Sequence, residues 1–184
     1  MTSGFLIDKL LLSGRYYTRQ IEIKMLRLTI NQGKPNPAGK DRLGPMVPSA
    51  QLAGEWVDFR NSGDESYSLA GIELQHVAYT TAYPNGVWEK VYVFAQSDVL
   101  GVGKSVRVHS GGKIDLGMLT PVDSQGVDYH VFSGKGYVWN NDRGDSPRLV
   151  RKTGVYQPVE VDKATYSAYP QEGKILIRLG AMLI

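Results

Sequence analysis

Apolar and polar residues alternate along this chain in short runs, each cut off by glycine, proline, asparagine or aspartate. In "GEWVDFRN" (54–61) an extended backbone sets Trp56 and Asp58 on one side and Val57 and Phe59 on the other. "SGDES" then turns the chain, "YSLAGIELQHVAY" supplies the next strand, and "YPNG" (83–86) makes another turn. In "VWEKVYVFA", Val87, Glu89, Val91 and Val93 oppose Trp88, Lys90, Tyr92 and Phe94. "LGVGK" turns into "SVRVHSG", where Val106 and Val108 alternate with Arg107 and His109. "SPRLVRK", "VYQPVEVDKATYSAY" and the tail "GKILIRLGAMLI" predict further strands. Turn signals recur about every 8–12 residues, the spacing of an all-β sandwich or barrel.

The rest is less regular. "IEIKMLRLTI" (21–30) reads as a strand whose phase changes between Met25 and Leu26, as a β-bulge or bend would cause, with a helix as the other reading. "NQGKPNPAGKDRLGPMVPS" (31–49) carries two Asn, three Gly and four Pro and predicts a loop. Residues 111–135 show no sustained period. "FLIDKLLL" (5–12) fits a short helix or a strand equally well. Apolar material thus gathers at both ends, and an exposed apolar edge invites pairing with another chain.

Composition narrows the chemistry. The 184 residues, 42% hydrophobic and 21% charged, suit one domain with extra pieces, or at most two small ones. No cysteine is present, which excludes disulfides and cysteine-based metal or redox chemistry. Asp8 and Lys9 split the first apolar run, and no basic segment precedes it, so no signal peptide is expected and synthesis is read as cytoplasmic. No run approaches the ~20 apolar residues of a membrane span. The net charge of +3 is uneven: residues 1–42 hold eight basic and three acidic side chains, against thirteen and fifteen in the remainder. Such an arm is either solvated or meets an acidic surface, and Arg15, Arg19, Lys24 and Arg27 are the candidate nucleic-acid contacts.

Several motifs invite sharper readings. "GVGKS" (101–105) imitates a phosphate loop, but Asp98 stands where the first glycine belongs and a strand, not a helix, follows. His76, His109 and His130 lie on separate elements with no ligand-like spacing, so surface or half-buried strand positions are expected. Glu55/Asp58 and Asp142/Asp145 are explained by solvated faces and turn closure rather than by acid–base pairing. Trp56, Trp88, Trp139 and many tyrosines offer either core packing or a stacking platform for sugars or bases, and their strand positions favour packing. "GYVWNNDRGDSPRLV" (136–150) contains Arg143-Gly144-Asp145 but reads as a turn: Asn140, Asn141 and Asp142 tolerate Asx-turn geometry, Gly144 takes a positive φ, and Asp145 accepts backbone N–H groups.

Four pieces in order, "NPAGKD", "GEWVDFRNSGDESYSLAGIEL", "LGVGKSVRVHSG" and "YVWNNDRGDSPRLVRKTG", resemble the lamin-tail domain in its bacterial form. The resemblance covers about residues 31–166. It implies an immunoglobulin-like β-sandwich over residues 26–168, with an N-terminal arm (1–25) and a C-terminal strand extension (169–184). Val57, Phe59, Leu69, Leu74, Val106, Val108, Val138 and Leu149 would be its core, with Trp139 near the sandwich edge. The family is not known for catalysis, so no catalytic residue, cofactor or metal is expected. The expected role is a structural or interaction module that joins neighbouring protein subunits, as a homo-oligomer or in a larger assembly such as a phage head or tail. Its partner contacts would be Phe5, Leu6, Ile7, Leu10 and Leu11 in the arm and Ile175, Ile177 and Leu179 in the tail, through strand addition. A nucleic-acid-binding module using the basic arm is the alternative.

Overall fold

The structure, a computed structural model, describes residues 5–12 and 15–22 as strands in register, and residues 25–39, 41–154 and 157–184 in full. It is all-β. The strands are β1 (Phe5–Leu12), β2 (Arg15–Glu22), β3 (Leu28–Lys34), β4 (Trp56–Asn61), β5 (Tyr67–Ser68), β6 (Ile72–Ala78), β7 (Val87–Val93), β8 (Val99–Leu100), β9 (Ser105–His109), β10 (Tyr129–Phe132), β11 (Arg148–Arg151), β12 (Val159–Lys163), β13 (Leu176–Leu179) and β14 (Met182–Leu183). Two short helices, α1 (Ser49–Ala53) and α2 (Pro121–Ser124), sit in the connections.

β10-β9-β4-β3-β13-β14 form a six-stranded sheet and β12-β11-β6-β7 a four-stranded one, with β5-β8 and β1-β2 as separate pairs. β10 runs parallel to β9, and the other pairings within the two large sheets are antiparallel. The two large sheets share one core. Leu28, Ile30, Val57, Phe59, Val106, Val108 and Leu176 from the first meet Ile72, Leu74, Val91 and Leu149 from the second. The period-2 pattern in β4 and β9 puts their valines and Phe59 on this inner face. All eight residues expected in the core are buried there.

Two local expectations are corrected. The strand expected over 21–30 is divided: 21–22 end β2, and β3 begins only at Leu28 and runs on through Lys34, into the expected loop. The bulge lies at Asn31, between Ile30 and Gln32, not at Met25. Tertiary partners outweigh local turn propensity here, because Gln32 and Lys34 project from the outer face to bind Asp58 and Asp123. Residues 137–140, just ahead of the turn, are irregular. The N–H groups of Val138 and Trp139 donate instead to the Glu55 carboxyl, at 2.8 and 3.2 Å.

The registers also align rows across the outer face of the six-stranded sheet. His130 faces Arg107, Arg107 faces Asp58, Asp58 faces Gln32, and Gln32 faces Ile177. Residues 111–128, which include α2, form a strap over the β9–β4 side of this face: Arg107 donates to the carbonyls of Val122, Asp123 and Gln125 at 2.8, 2.9 and 3.3 Å.

Candidate functional site

The turn 140–145 is built around a buried Asp145. Its carboxylate accepts from the N–H groups of Val77 (2.8 Å), Ser146 (2.7 Å) and Asn140 (3.2 Å) and from the Asn140 amide (2.9 Å), and His76 Nδ1 lies 3.1 Å away. Gly144 has φ 73°, and a Cβ there would stand 2.3 Å from the Tyr166 carbonyl oxygen, so only glycine fits. Turn chemistry therefore accounts for this segment. An adhesive reading of Arg143-Gly144-Asp145 fails because Asp145 is 3% exposed and Arg143 donates to the Pro84 carbonyl at 2.8 Å.

Beside this turn opens a cleft of about 1130 Å³, lined among others by Glu55, Tyr79, Tyr137, Trp139, Asn141 and Arg143. Glu55 forms its floor and accepts from Ser110 Oγ as well as from the two N–H groups named above. Burial pushes its carboxyl up to about 8, against the opposing pull of those hydrogen bonds. Tyr137 donates through its hydroxyl to the Asp41 carbonyl at 3.3 Å, and burial raises its phenol to about 12. Trp139 is buried, and its ring meets His76 edge-on at 5.9 Å.

Beneath the strap lies a second polar cluster. Arg107 binds Asp58 through Nε and Nη2, both at 2.8 Å, and its guanidinium stacks 3.6 Å from the Trp56 ring centre. Gln32 adds a third donor to Asp58 at 2.6 Å. Asp123 of α2 accepts from Lys34 Nζ (2.6 Å), Trp56 Nε1 (2.7 Å) and Thr120 Oγ1 (2.7 Å). His109 Nδ1 faces the Ala53 carbonyl and so donates, which leaves Nε2 to accept from His130 Nδ1 at 2.8 Å. Burial lowers His109 to about 4 and also lowers His130. These findings correct two expectations: Glu55 and Asp58 are not on solvated faces, and His109 is fully buried. Alternation correctly placed Asp58, Arg107 and His109 opposite the core, but a second layer covers them.

The predicted contact residues are placed unevenly. Ile177 and Leu179 lie on β13, outward and 61% and 67% exposed, whereas Ile175 is half-buried. Pairing adds two residues the sequence reading missed: Met182 opposite Leu179, and Ile184, which exchanges both backbone hydrogen bonds with Ile177 at 3.0 Å. Their signal was the same-face parity of a tight hairpin at Gly180. Phe5, Leu6, Ile7, Leu10 and Leu11 belong to β1, and their side chains lie outside the described residues. In register, Arg15 and Arg19 of β2 stand opposite Leu12 and Asp8. Lys24 is outside the described residues, and Arg27 is exposed just before β3.

The remaining motifs resolve into structure. "GVGKS" is a turn into β9, with Lys104 donating to Asp128 at 2.8 Å. Among the described residues no group of three or more His, Asp or Glu is arranged to hold a metal, and no helix is long and apolar enough to cross a membrane. No protein-family model matches the chain, and no curated protein matches it in sequence.

Proposed function

We propose that this chain is an immunoglobulin-like β-sandwich of the lamin-tail type, acting as a non-catalytic interaction module that assembles with neighbouring subunits through its terminal strands. The uncovered apolar face of the β13–β14 hairpin carries this reading. Ile177, Leu179, Met182 and Ile184 share one outward face, while Leu176 and Leu183 anchor the hairpin in the core. Burying one such side chain gains about 1.5–3 kcal/mol, so four together drive association and repay little when left in water.

The test is light scattering coupled to size exclusion on the full chain and on an Ile177→Ser/Leu179→Ser variant. Wild type is expected to elute as an oligomer that the variant shifts towards the protomer. A wild type that stays monomeric across micromolar concentrations removes the self-assembly reading. Cutting the chain at residue 168 is not an equivalent experiment, because it also deletes core side chains of β13 and β14.

A further inference from the structure

Beside the β13–β14 hairpin stands a tyrosine whose backbone is strained and whose ring the protomer leaves outside. Tyr169 has φ 58°, the one positive φ at a residue other than glycine among the described residues. Bulky side chains rarely adopt that backbone, and a residue ahead of a proline, here Pro170, is biased towards the extended region. Two hydrogen bonds hold the segment in place. The Tyr169 N–H donates to the Asn141 carbonyl at 2.6 Å, and the Asn36 amide donates to the Pro170 carbonyl at 3.0 Å. Asparagine or glycine would take up this conformation at less cost.

The ring gains little within the protomer. Tyr169 is 79% exposed, more than any other large apolar or aromatic residue among those described. Next to it is a hollow of about 240 Å³, lined among others by Tyr169, Lys174, Leu176, Leu183 and Ile184. Leu176 and Leu183 are core side chains and give the hollow an apolar floor, while the exposed Lys174 adds a cation to its lining. Apolar surface with an ammonium beside it suits an aromatic ring, which packs on the first and attracts the second to its face. Ile184 belongs both to this hollow and to the outward apolar row of the hairpin, so the two surfaces are continuous. A projecting ring next to a recess suited to a ring is a self-complementary patch, the kind that a twofold axis pairs with itself.

We infer that Tyr169 anchors a twofold contact between two copies of this chain, each ring entering the other copy's hollow at the end of the hairpin face. This rests on the self-assembly reading above and adds to it an anchor residue and a symmetry. It also accounts for the backbone strain, which is kept for a ring that acts only in the dimer.

The test compares the full chain with Tyr169→Phe and Tyr169→Asn, by sedimentation equilibrium over a micromolar concentration series and by melting curves at high dilution. The wild type is expected to reach a dimer and no larger species. Tyr169→Phe keeps its dissociation constant within about twofold, and Tyr169→Asn raises it at least about tenfold, the scale of a lost aromatic anchor. Asparagine relieves the backbone, so the melting temperature of that protomer stays level or rises by about 2–4 °C. A residue that merely supported the fold would lower it. A wild type that remains monomeric removes the self-assembly reading and this inference with it. Three other results leave that reading standing and overturn the anchor: dimerisation undiminished in Tyr169→Asn, wild-type oligomers that grow past the dimer, or a melting temperature that falls by more than about 4 °C in Tyr169→Asn.

Discussion

On the β9–β4 side of the outer sheet face, Asp58 and Arg107 are buried beneath the 111–128 strap, and His109 is buried against Ala53 and His130. On the β13 side of the same face, one strand beyond Gln32, Ile177 and Leu179 stand in solvent. The polarity is the reverse of what exposure alone would select. Charged groups tolerate burial because the strap supplies specific acceptors and Asp58 pairs with Arg107 in two parallel bonds. Among the described residues, the apolar groups left outside have no such cover. Cover is thus a property of the strap, not of the strand, and the difference separates an internally satisfied region from one suited to association.

The sharpest way to break this contrast is Arg107→Met. It leaves Asp58 buried without its cation and three strap carbonyls without a donor. Unfolding in urea should show a loss of about 3–5 kcal/mol, the usual cost of removing one partner of a buried pair. Replacing both partners, as Asp58→Leu/Arg107→Met, should recover part of it. A loss below about 1 kcal/mol would mean that the strap side is as solvated as the hairpin side.

Acid titration probes the same covered side. Burial holds His109 at about 4, below its ordinary value near 6.5, so the unfolded chain takes up the proton first. The stability tied to His109 is therefore complete above pH 6.5 and is lost as pH falls from there towards 4. At about 1.4 kcal/mol per unit, the loss reaches about 3 kcal/mol. His109→Gln should flatten this limb. Glu55 works in the opposite sense: raised to about 8, it contributes fully below 4.5 and loses that contribution as pH rises through 8, and Glu55→Gln should flatten that decline. Denaturant midpoints between pH 4 and 9 for the three proteins check both signs.

A smaller effect is expected from Asp123→Asn, which loosens the strap without removing it. The amide still accepts from Lys34 or Trp56 but loses its charge and turns an N–H₂ towards Thr120. About 1–2 kcal/mol is expected, together with faster proteolysis confined to residues 111–128. Proteolysis spread evenly over the chain would instead indicate that the strap is no separate layer.

Alternation made much of the fold legible. Val57, Phe59, Val106 and Val108 gave the inner face directly, and turn chemistry at Asn140–Asp145 predicted the closure that Asp145 performs. What alternation does not encode is a second layer. A strand with polar outer positions looks the same whether water or a strap covers it, so alternation sets Asp58, Arg107 and His109 outward without telling what covers them. The strap has no period of its own, because its contacts are made by carbonyls and by one aspartate. The 1130 Å³ cleft was equally hidden, since its walls come from residues around Pro37, Tyr79 and Tyr137 that are far apart in the chain.

The least disruptive change should be the most informative about the uncovered side. In Ile177→Ser/Ile184→Ser the two altered side chains are cross-strand neighbours facing solvent, and the backbone bonds between them are unaffected. Nothing in the core contacts is removed, so protomer stability measured at high dilution should change by no more than about 0.5 kcal/mol, as for other surface sites. The same substitution should abolish concentration-dependent association, because a polar pair at the centre of an apolar patch must be desolvated on docking. The paired result separates the two halves of the face: under the strap a substitution costs folding, and on the hairpin it costs only company. A double variant that lost several kcal/mol of protomer stability would show the hairpin face to be covered from within, and the contrast between the two sides would disappear.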